Sequence, residues 1–418
     1  MKHLLLLCFL SSLAFAINAQ NLLLKPDRVF DGMKMQENWV VLVAGNKIVE
    51  VGAEKNIRIP KNTQVKELAG TTLLPGMIEG HSHLLLHPYN QTNWNDQVLK
   101  EPNAYRVARA VVHAKKTLMA GVTTTRDLGS EGAGYADVGL KKAINDGVIL
   151  GPRMLVAGRA IVATGSYGPK GFKPDFEVPL GAEPADGQDL IRVVRTQIGK
   201  GADVIKVYAD YRWGPNGEAM PTFSIEELKT IVETAKSSGR PTVAHAATAE
   251  GMRRATLAGV ETIEHGDGAT LEVLQLMKEN NVALCPTIAA GDAISQYQGW
   301  KRGVDSDPAR IVNKKTSLKL VIQSGVTVCA GGDVGVFEHG DNVRELEMMV
   351  EYGMKPLAVL QSITAINAQL FHLENKVGKI EKGLLADLII VEGNPLEDIS
   401  ALRKIKIVMK EGVIYREE

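Results

Sequence analysis

His81 and His83 are the residues in this sequence best placed to do chemistry. They lie in Glu79-Gly80-His81-Ser82-His83, just after the apolar run Thr72-Leu73-Leu74-Pro75-Gly76-Met77-Ile78. Two residues apart on an extended strand, the two imidazoles point to the same side, which suits two ligands on one metal ion. Four more candidates follow in order, each near the end of a short apolar, strand-like segment. They are Lys206 in Asp203-Val204-Ile205-Lys206-Val207-Tyr208, His245 in Pro241-Thr242-Val243-Ala244-His245, His265 in Thr262-Ile263-Glu264-His265-Gly266, and Asp333 in Val328-Cys329-Ala330-Gly331-Gly332-Asp333. Imidazole nitrogen and carboxylate oxygen suit zinc, whereas a lysine ammonium has no free lone pair. Taken singly, each has an ordinary explanation: His245 as a core or capping histidine, Lys206 as a solvated strand residue, Asp333 as a cap on the next helix. Their ordered co-occurrence favours a metal-dependent hydrolase.

Such residues act together only if a scaffold gathers the ends of several strands. The middle of the chain alternates short apolar strands with helical patterns, which argues for parallel βα units. Strands are expected near 73–79, 122–127, 153–157, 203–208, 241–245, 261–265, 282–286 and 326–330. Ser224-Ile225-Glu226-Glu227 carries a capping box and opens a helix running to about Ser238. Thr248 to Ala258 reads as a second helix closed by Gly259, and Pro356 to about Phe371 as a third. A long series of such units with polar residues at strand C-terminal ends suits an α/β fold of the (β/α)8 TIM-barrel type. A doubly wound sheet is the alternative, but Gly129-Ser130-Glu131-Gly132-Ala133-Gly134 lacks phosphate-binding spacing and reads as a loop.

Both ends of the chain have a different texture. Trp39-Val40-Val41-Leu42-Val43, Lys47-Ile48-Val49-Glu50-Val51 and Val65-Lys66-Glu67-Leu68 are short β-type runs, as are Asp387-Leu388-Ile389-Ile390-Val391 and Ile405-Lys406-Ile407-Val408-Met409. They predict one small β-sandwich domain built from 20–74 and 375–418, flanking a barrel over 75–374. The first 19 residues read as a secretory signal peptide: Lys2 and His3 precede an apolar stretch, Leu4 to Ala16, too short to span a bilayer comfortably. Lys plus Arg equals Asp plus Glu, at 48 each. That balance gives no electrostatic case for nucleic acid or an anionic membrane surface. Cys285 and Cys329 remain after signal removal, inside apolar segments where buried free thiols are the plain expectation.

The chain resembles the amidohydrolase superfamily, in the branch with imidazolonepropionase-like, Xaa-Pro dipeptidase-like and ochratoxinase-like enzymes. Besides the residues above, the resemblance rests on Gly121-Val122-Thr123-Thr124-Thr125-Arg126-Asp127-Leu128-Gly129, on Gly151-Pro152-Arg153, and on Gly378-Lys379-Ile380-Glu381-Lys382-Gly383-Leu384-Leu385-Ala386-Asp387-Leu388. It implies two divalent metal ions sharing a hydroxide, with His81, His83 and Asp333 on one ion and His245 and His265 on the other. Lys206, carboxylated to a carbamate, would bridge them. It also implies that Asp333 is the general base, taking a proton from the water and delivering it to the leaving amine.

The substrate side departs from these relatives. Where dipeptidase-like members often carry a Gly-Gly-His-type loop, this chain has Thr164-Gly165-Ser166-Tyr167-Gly168, and Ala246-Ala247 follows His245. Tyr167, Tyr208 and Arg212 are candidate substrate contacts, the last two within a cluster that reads equally as a lid packing its own aromatics. His339 is either a substrate contact or polarity where a helix begins. The expected protein is an exported amidohydrolase, periplasmic or secreted, cleaving dipeptides or N-acyl amino acids. A cyclic-amide or ester hydrolase, and a non-catalytic binding protein on the same scaffold, are the alternatives. Its partner is a small molecule, with no nucleic acid and no membrane contact after signal cleavage; a homo-oligomer is compatible with the sequence. Mature protein is expected to begin at Gln20, or at Ile17 by the second-best cleavage. N-terminal sequencing of native protein checks this, and an intact Met1 on a soluble form would contradict it.

Overall fold

The computed structural model describes residues 21–418; the signal-like stretch lies outside the described residues. The chain opens with β1 (Leu22–Phe30), β2 (Met35–Glu37), β3 (Trp39–Ala44), β4 (Lys47–Ala53) and β5 (Gln64–Pro75). β1 pairs antiparallel with β3 and parallel with β5. At Pro75-Gly76 the chain leaves this sheet, and β6 (Met77–Ser82) begins a second one. The single strand expected near 73–79 is therefore two: residues up to Pro75 pair within the first sheet, and those from Met77 pair with Val122 onward. An unbroken apolar run hides the joint, because both sides of it are buried.

The middle of the chain is mixed α/β. β6 pairs in parallel with β7 (Val122–Asp127), which pairs with β8 (Arg153–Val156). Short strands β9 (Ile161–Val162) and β10 (Glu183–Pro184) lead to β11 (Ile205–Tyr208). The antiparallel hairpin of β12 (Asp210–Arg212) and β13 (Ala219–Pro221) then intervenes. β14 (Thr242–Ala246), β15 (Thr262–His265) and β16 (Ala283–Cys285) continue the parallel set from β11. Three hydrogen bonds join the ends of these two parallel sheets: Asp203 N to Val156 O at 2.8 Å, Cys329 N to Leu284 O at 2.9 Å and Gly80 N to Ala330 O at 3.0 Å. The hydrogen-bonding path thus returns to β6. The strand expected at 326–330 appears only as a bridge between Val328 and Leu284.

Helices follow the strands as their caps dictate. Ser224 and Glu227 form the reciprocal capping box of Ile225–Lys236, and Gly259, left-handed at φ 90°, ends Ala249–Ala258. The helix expected over Pro356–Phe371 is interrupted by a π-helical turn at Ser362–Ile366. That turn lets Asn367 reach inward, where its Nδ2 donates to Ile78 O and Ala330 O, both at 2.7 Å. No helix among the described residues is long and apolar enough to cross a membrane.

The chain ends with β17 (Leu388–Glu392), β18 (Ile405–Lys410) and β19 (Val413–Glu417). β17 pairs with β5, so one eight-stranded sheet draws strands from both ends of the chain. Its alternation buries both faces. Leu74, Ile389 and Val408 pack into the main core, while Leu73, Ile390 and Ile407 pack with Leu24, Val41 and Ile48. Arg153 on β8 ties this sheet to the parallel strands: it bonds Asp387 Oδ2 at 2.6 Å and Glu411 Oε1 at 2.6 Å. Asp387 is buried, so removing the guanidinium strands a carboxylate away from water. Arg153→Met is expected to lower stability by about 3 kcal/mol. Denaturant titration checks this, and an unchanged midpoint would contradict the tie.

Candidate metal centre

Of the six residues singled out in the sequence, His81 and His83 lie at the end of β6, Lys206 within β11, His245 and His265 at the ends of β14 and β15, and Asp333 in the turn after residue 330. His81 Nε2 and His83 Nε2 lie 3.7 and 3.3 Å from Asp333 Oδ1. One donor atom from each of the three lies within 4.8 Å of the others. The far nitrogens are already committed: His81 Nδ1 meets Glu264 Oε2 at 2.8 Å, and His83 Nδ1 meets Gly129 O at 2.8 Å. Both acceptors hold a proton on Nδ1, so each Nε2 is the atom turned toward Asp333, and it offers a lone pair when the ring is neutral. Asp333 Oδ1 is buried without a hydrogen-bond partner. Two imidazole lone pairs and an unpaired carboxylate oxygen directed at one region form a donor set that fits a divalent cation.

The other three residues adjoin this group. The His265 ring centroid is 5.2 Å from that of His81 and 4.5 Å from that of His245. His265 Nδ1 bonds Thr287 Oγ1 at 2.7 Å, so its Nε2 is again the free atom. His245 is stacked on Tyr208, at 4.6 Å and 18°. Lys206 on β11 is buried, and it makes no ion pair with a carboxylate among the described residues. Burial lowers its ammonium below the ordinary value, while Glu264 and Asp333 pull it back up.

Backbone strain marks the same places. His265 and Asp333 are left-handed, at φ 79° and 62°, and Thr287 at φ 48°. Such conformations cost non-glycine residues about 1–3 kcal/mol each and persist where the surroundings enforce them. Asp333 N is held by His81 O at 2.9 Å, and Gly332 N by Glu79 Oε1 at 2.9 Å. Gly331 is obligatory here: a methyl group on it would lie 2.5 Å from His81 N. Burial opposes charge on Asp333, yet His81, His83 and Lys206 hold its carboxyl down to about 2. Burial likewise opposes charge on the His83 imidazolium, but Asp333 raises it to about 9. A bound cation would replace that proton.

The supporting residues were not identified as functional from sequence. Glu264 is fully buried and accepts from His81 Nδ1, from Arg126 Nη2 at 2.9 Å and from the Thr262 hydroxyl. Thr262 and Glu264 are two apart on β15 and share a face, so an acid within the apolar Thr262-Ile263-Glu264 run was the available signal. Glu79, raised to about 7 by burial, accepts from His81 N, Gly332 N and Asn342 Nδ2.

The candidate substrate residues divide. Tyr167 and Tyr208 are buried beside the ligand group, their ring centroids 4.7 Å apart. Arg212 is exposed and lies over the Tyr211 ring at 5.5 Å. His339 is not brought to the group: it stacks on His113 at 4.2 Å, and its Nε2 bonds Leu86 O at 2.9 Å. Its place is packing beneath the loop that follows β6. Glu264→Gln leaves the His81 ring without its carboxylate anchor, and metal affinity is expected to fall roughly 10–100-fold. Competition with a chelator checks this, and unchanged affinity would contradict it.

The profile of the amidohydrolase family matches residues 72–415. Ochratoxinase of Aspergillus niger is 32% identical over 399 residues, covering 88% of this chain and 80% of that protein. Imidazolonepropionase of Bdellovibrio bacteriovorus is 24% identical over 395 residues, 87% and 84% of the two chains. The crystal structure of a Xaa-Pro dipeptidase with bound methionine in its active site is similar with a TM-score of 0.84 at 31% identity, over 95% of this chain and all of that one. The chain belongs to the amidohydrolase family and is a hydrolase acting on amide or peptide carbon–nitrogen bonds.

Proposed function

We propose that this protein is an exported, binuclear-metal amidohydrolase that cleaves dipeptides or N-acyl amino acids. The observation that carries the reading is the convergence of His81 Nε2, His83 Nε2 and the unpaired Asp333 Oδ1. His81, His83 and Asp333 would hold one ion, and His245 and His265 the other. Lys206, carboxylated, would bridge the two; its burial among these ligands, without a carboxylate partner of its own, supports that role. The similarity to a Xaa-Pro dipeptidase and to ochratoxinase supports a peptide or amide substrate. On this reading 75–374 is a (β/α)8 barrel, 20–74 with 375–418 is a composite β-sandwich, and residues 1–19 direct export to the periplasm or medium.

When bound, two divalent ions, zinc by the nature of the donors, supply polarisation of the scissile carbonyl and acidify a water. The chain's own residues do the rest. Asp333 takes a proton from the attacking water and returns it to the leaving nitrogen, so both transfers pass through one carboxylate. Its left-handed backbone and the hydrogen bonds from its own N–H to His81 O, and from Gly332 N to Glu79, hold that carboxylate toward the histidines. Glu264 and Gly129 O keep His81 and His83 in the tautomer that leaves Nε2 free. Tyr208, itself buried, is stacked on the His245 ring and limits its rotation.

Asp333→Asn keeps the shape and an oxygen donor but loses basicity. Turnover is expected to fall by about 10²–10⁴-fold, while metal content falls modestly. Pairing elemental analysis with kcat on a panel of dipeptides, N-acyl amino acids, lactams and lactones tests the reading. Near-native kcat in Asp333→Asn with metal bound would contradict the base assignment, and a metal-loaded wild type that cleaves only lactones would contradict the substrate class.

A further inference from the structure

One buried acid beside the ligand group is not used by this reaction. Glu131 lies in the loop after β7, left-handed at φ 46° and 4% exposed. Its Oε2 is fully occupied: Trp94 Nε1 donates at 2.9 Å and the Tyr167 hydroxyl at 2.7 Å. Its Oε1 has only the Tyr208 hydroxyl, at 3.5 Å. The nearby buried Arg106 donates instead to the main-chain oxygens of Leu85, Ser130 and Glu131. Among the described residues the Glu131 carboxylate forms no ion pair with a Lys, Arg or His side chain. Taking a carboxylate out of water is costly unless a cation meets it.

Location and surroundings indicate which cation. A methyl group on Gly129 would lie 3.2 Å from Glu131 Oε1 and 3.6 Å from the His83 ring, so Oε1 is on the side of Glu131 that adjoins the ligand group. The Tyr167 ring packs against Trp94 at 5.3 Å, Tyr208 at 4.7 Å and Tyr211 at 4.7 Å. Aromatic faces attract cations. Glu131 can only accept, so the Trp94 and Tyr167 protons are spent on it, and neither group has a donor left for a substrate carboxylate.

We propose that Glu131, with the rings of Trp94, Tyr167 and Tyr211, forms a cation subsite that takes the protonated amino group of an aminoacyl substrate. The proposal rests on amide hydrolysis at the adjacent ligand group, and it narrows the substrates to those with a free amino terminus. Alanyl-phenylalanine is then favoured over its N-acetyl derivative.

The test uses metal-loaded full-length protein and two readouts. One is kcat/KM for alanyl-phenylalanine and N-acetyl-alanyl-phenylalanine. The other is binding of 2-phenylethylamine and its N-acetyl derivative, neither a dipeptide, by calorimetry. Wild type is expected to favour the free amine at least tenfold in both. Glu131→Gln should melt and bind metal like wild type but lose the preference through KM, and Glu131→Asp should recover part of it. Equal handling of free and acetylated forms by wild type would overturn the proposal. So would a Glu131→Gln protein that keeps the preference, or one that loses only metal. If wild type cleaves neither peptide, the dipeptide reading fails, while the binding ratio still decides the role of Glu131.

Discussion

The centre of the molecule depends on one buried chain of charge, Arg126 to Glu264 to His81. The Glu264 carboxylate is fully enclosed, with Arg126 Nη2 at 2.9 Å on one oxygen and His81 Nδ1 at 2.8 Å on the other. Desolvating such ions costs several kcal/mol each, and attraction offsets the cost only where every remaining valence is filled. Here it is filled: Arg126 also donates to Gly80 O and Thr262 Oγ1, and its guanidinium lies over the Phe371 ring at 4.3 Å. Burial alone would raise the Glu264 carboxyl, but Arg126, His81 and Lys206 hold it well below the usual range. The result is an ionised acceptor that fixes the His81 ring from behind. Without that anchor the ring could rotate, and the directed lone pair at Nε2 would be lost.

The same logic is repeated around the group. Each of these imidazoles has its Nδ1 tied to a different kind of partner: a carboxylate for His81, a main-chain carbonyl for His83, a hydroxyl for His265. The strands are drawn together by small residues and by main-chain hydrogen bonds such as Gly80 N to Ala330 O. At the ligand group, left-handed backbone falls on His265, Thr287 and Asp333, and beside it on Glu131. A rigid parallel scaffold makes that affordable.

Much of this was legible because local chemistry carries it. The capping box at Ser224 and Glu227, the left-handed Gly259 and the parallel strand-and-helix alternation are written in neighbouring residues. The histidine pair at 81 and 83 follows from strand geometry alone. What could not be read needs distance. Arg126 and Glu264 are 138 positions apart, and no periodicity states which strand faces which. The junction at Pro75-Gly76 was hidden because two sheets share one apolar run. The role of Glu131 was hidden in a glycine-rich loop whose only local signal was spacing unsuited to phosphate. His339 followed an acid in a turn, and only the structure brings it against His113.

The most direct measurement of the central claim is a crystal structure of the metal-loaded protein with anomalous data collected at the metal edge. Two peaks are expected. One is ligated by His81, His83 and Asp333, the other by His245 and His265, with carbamate density on Lys206 joining them. A single ion, ions held by other residues, or a plain Lys206 amine turned away from the metals would contradict it.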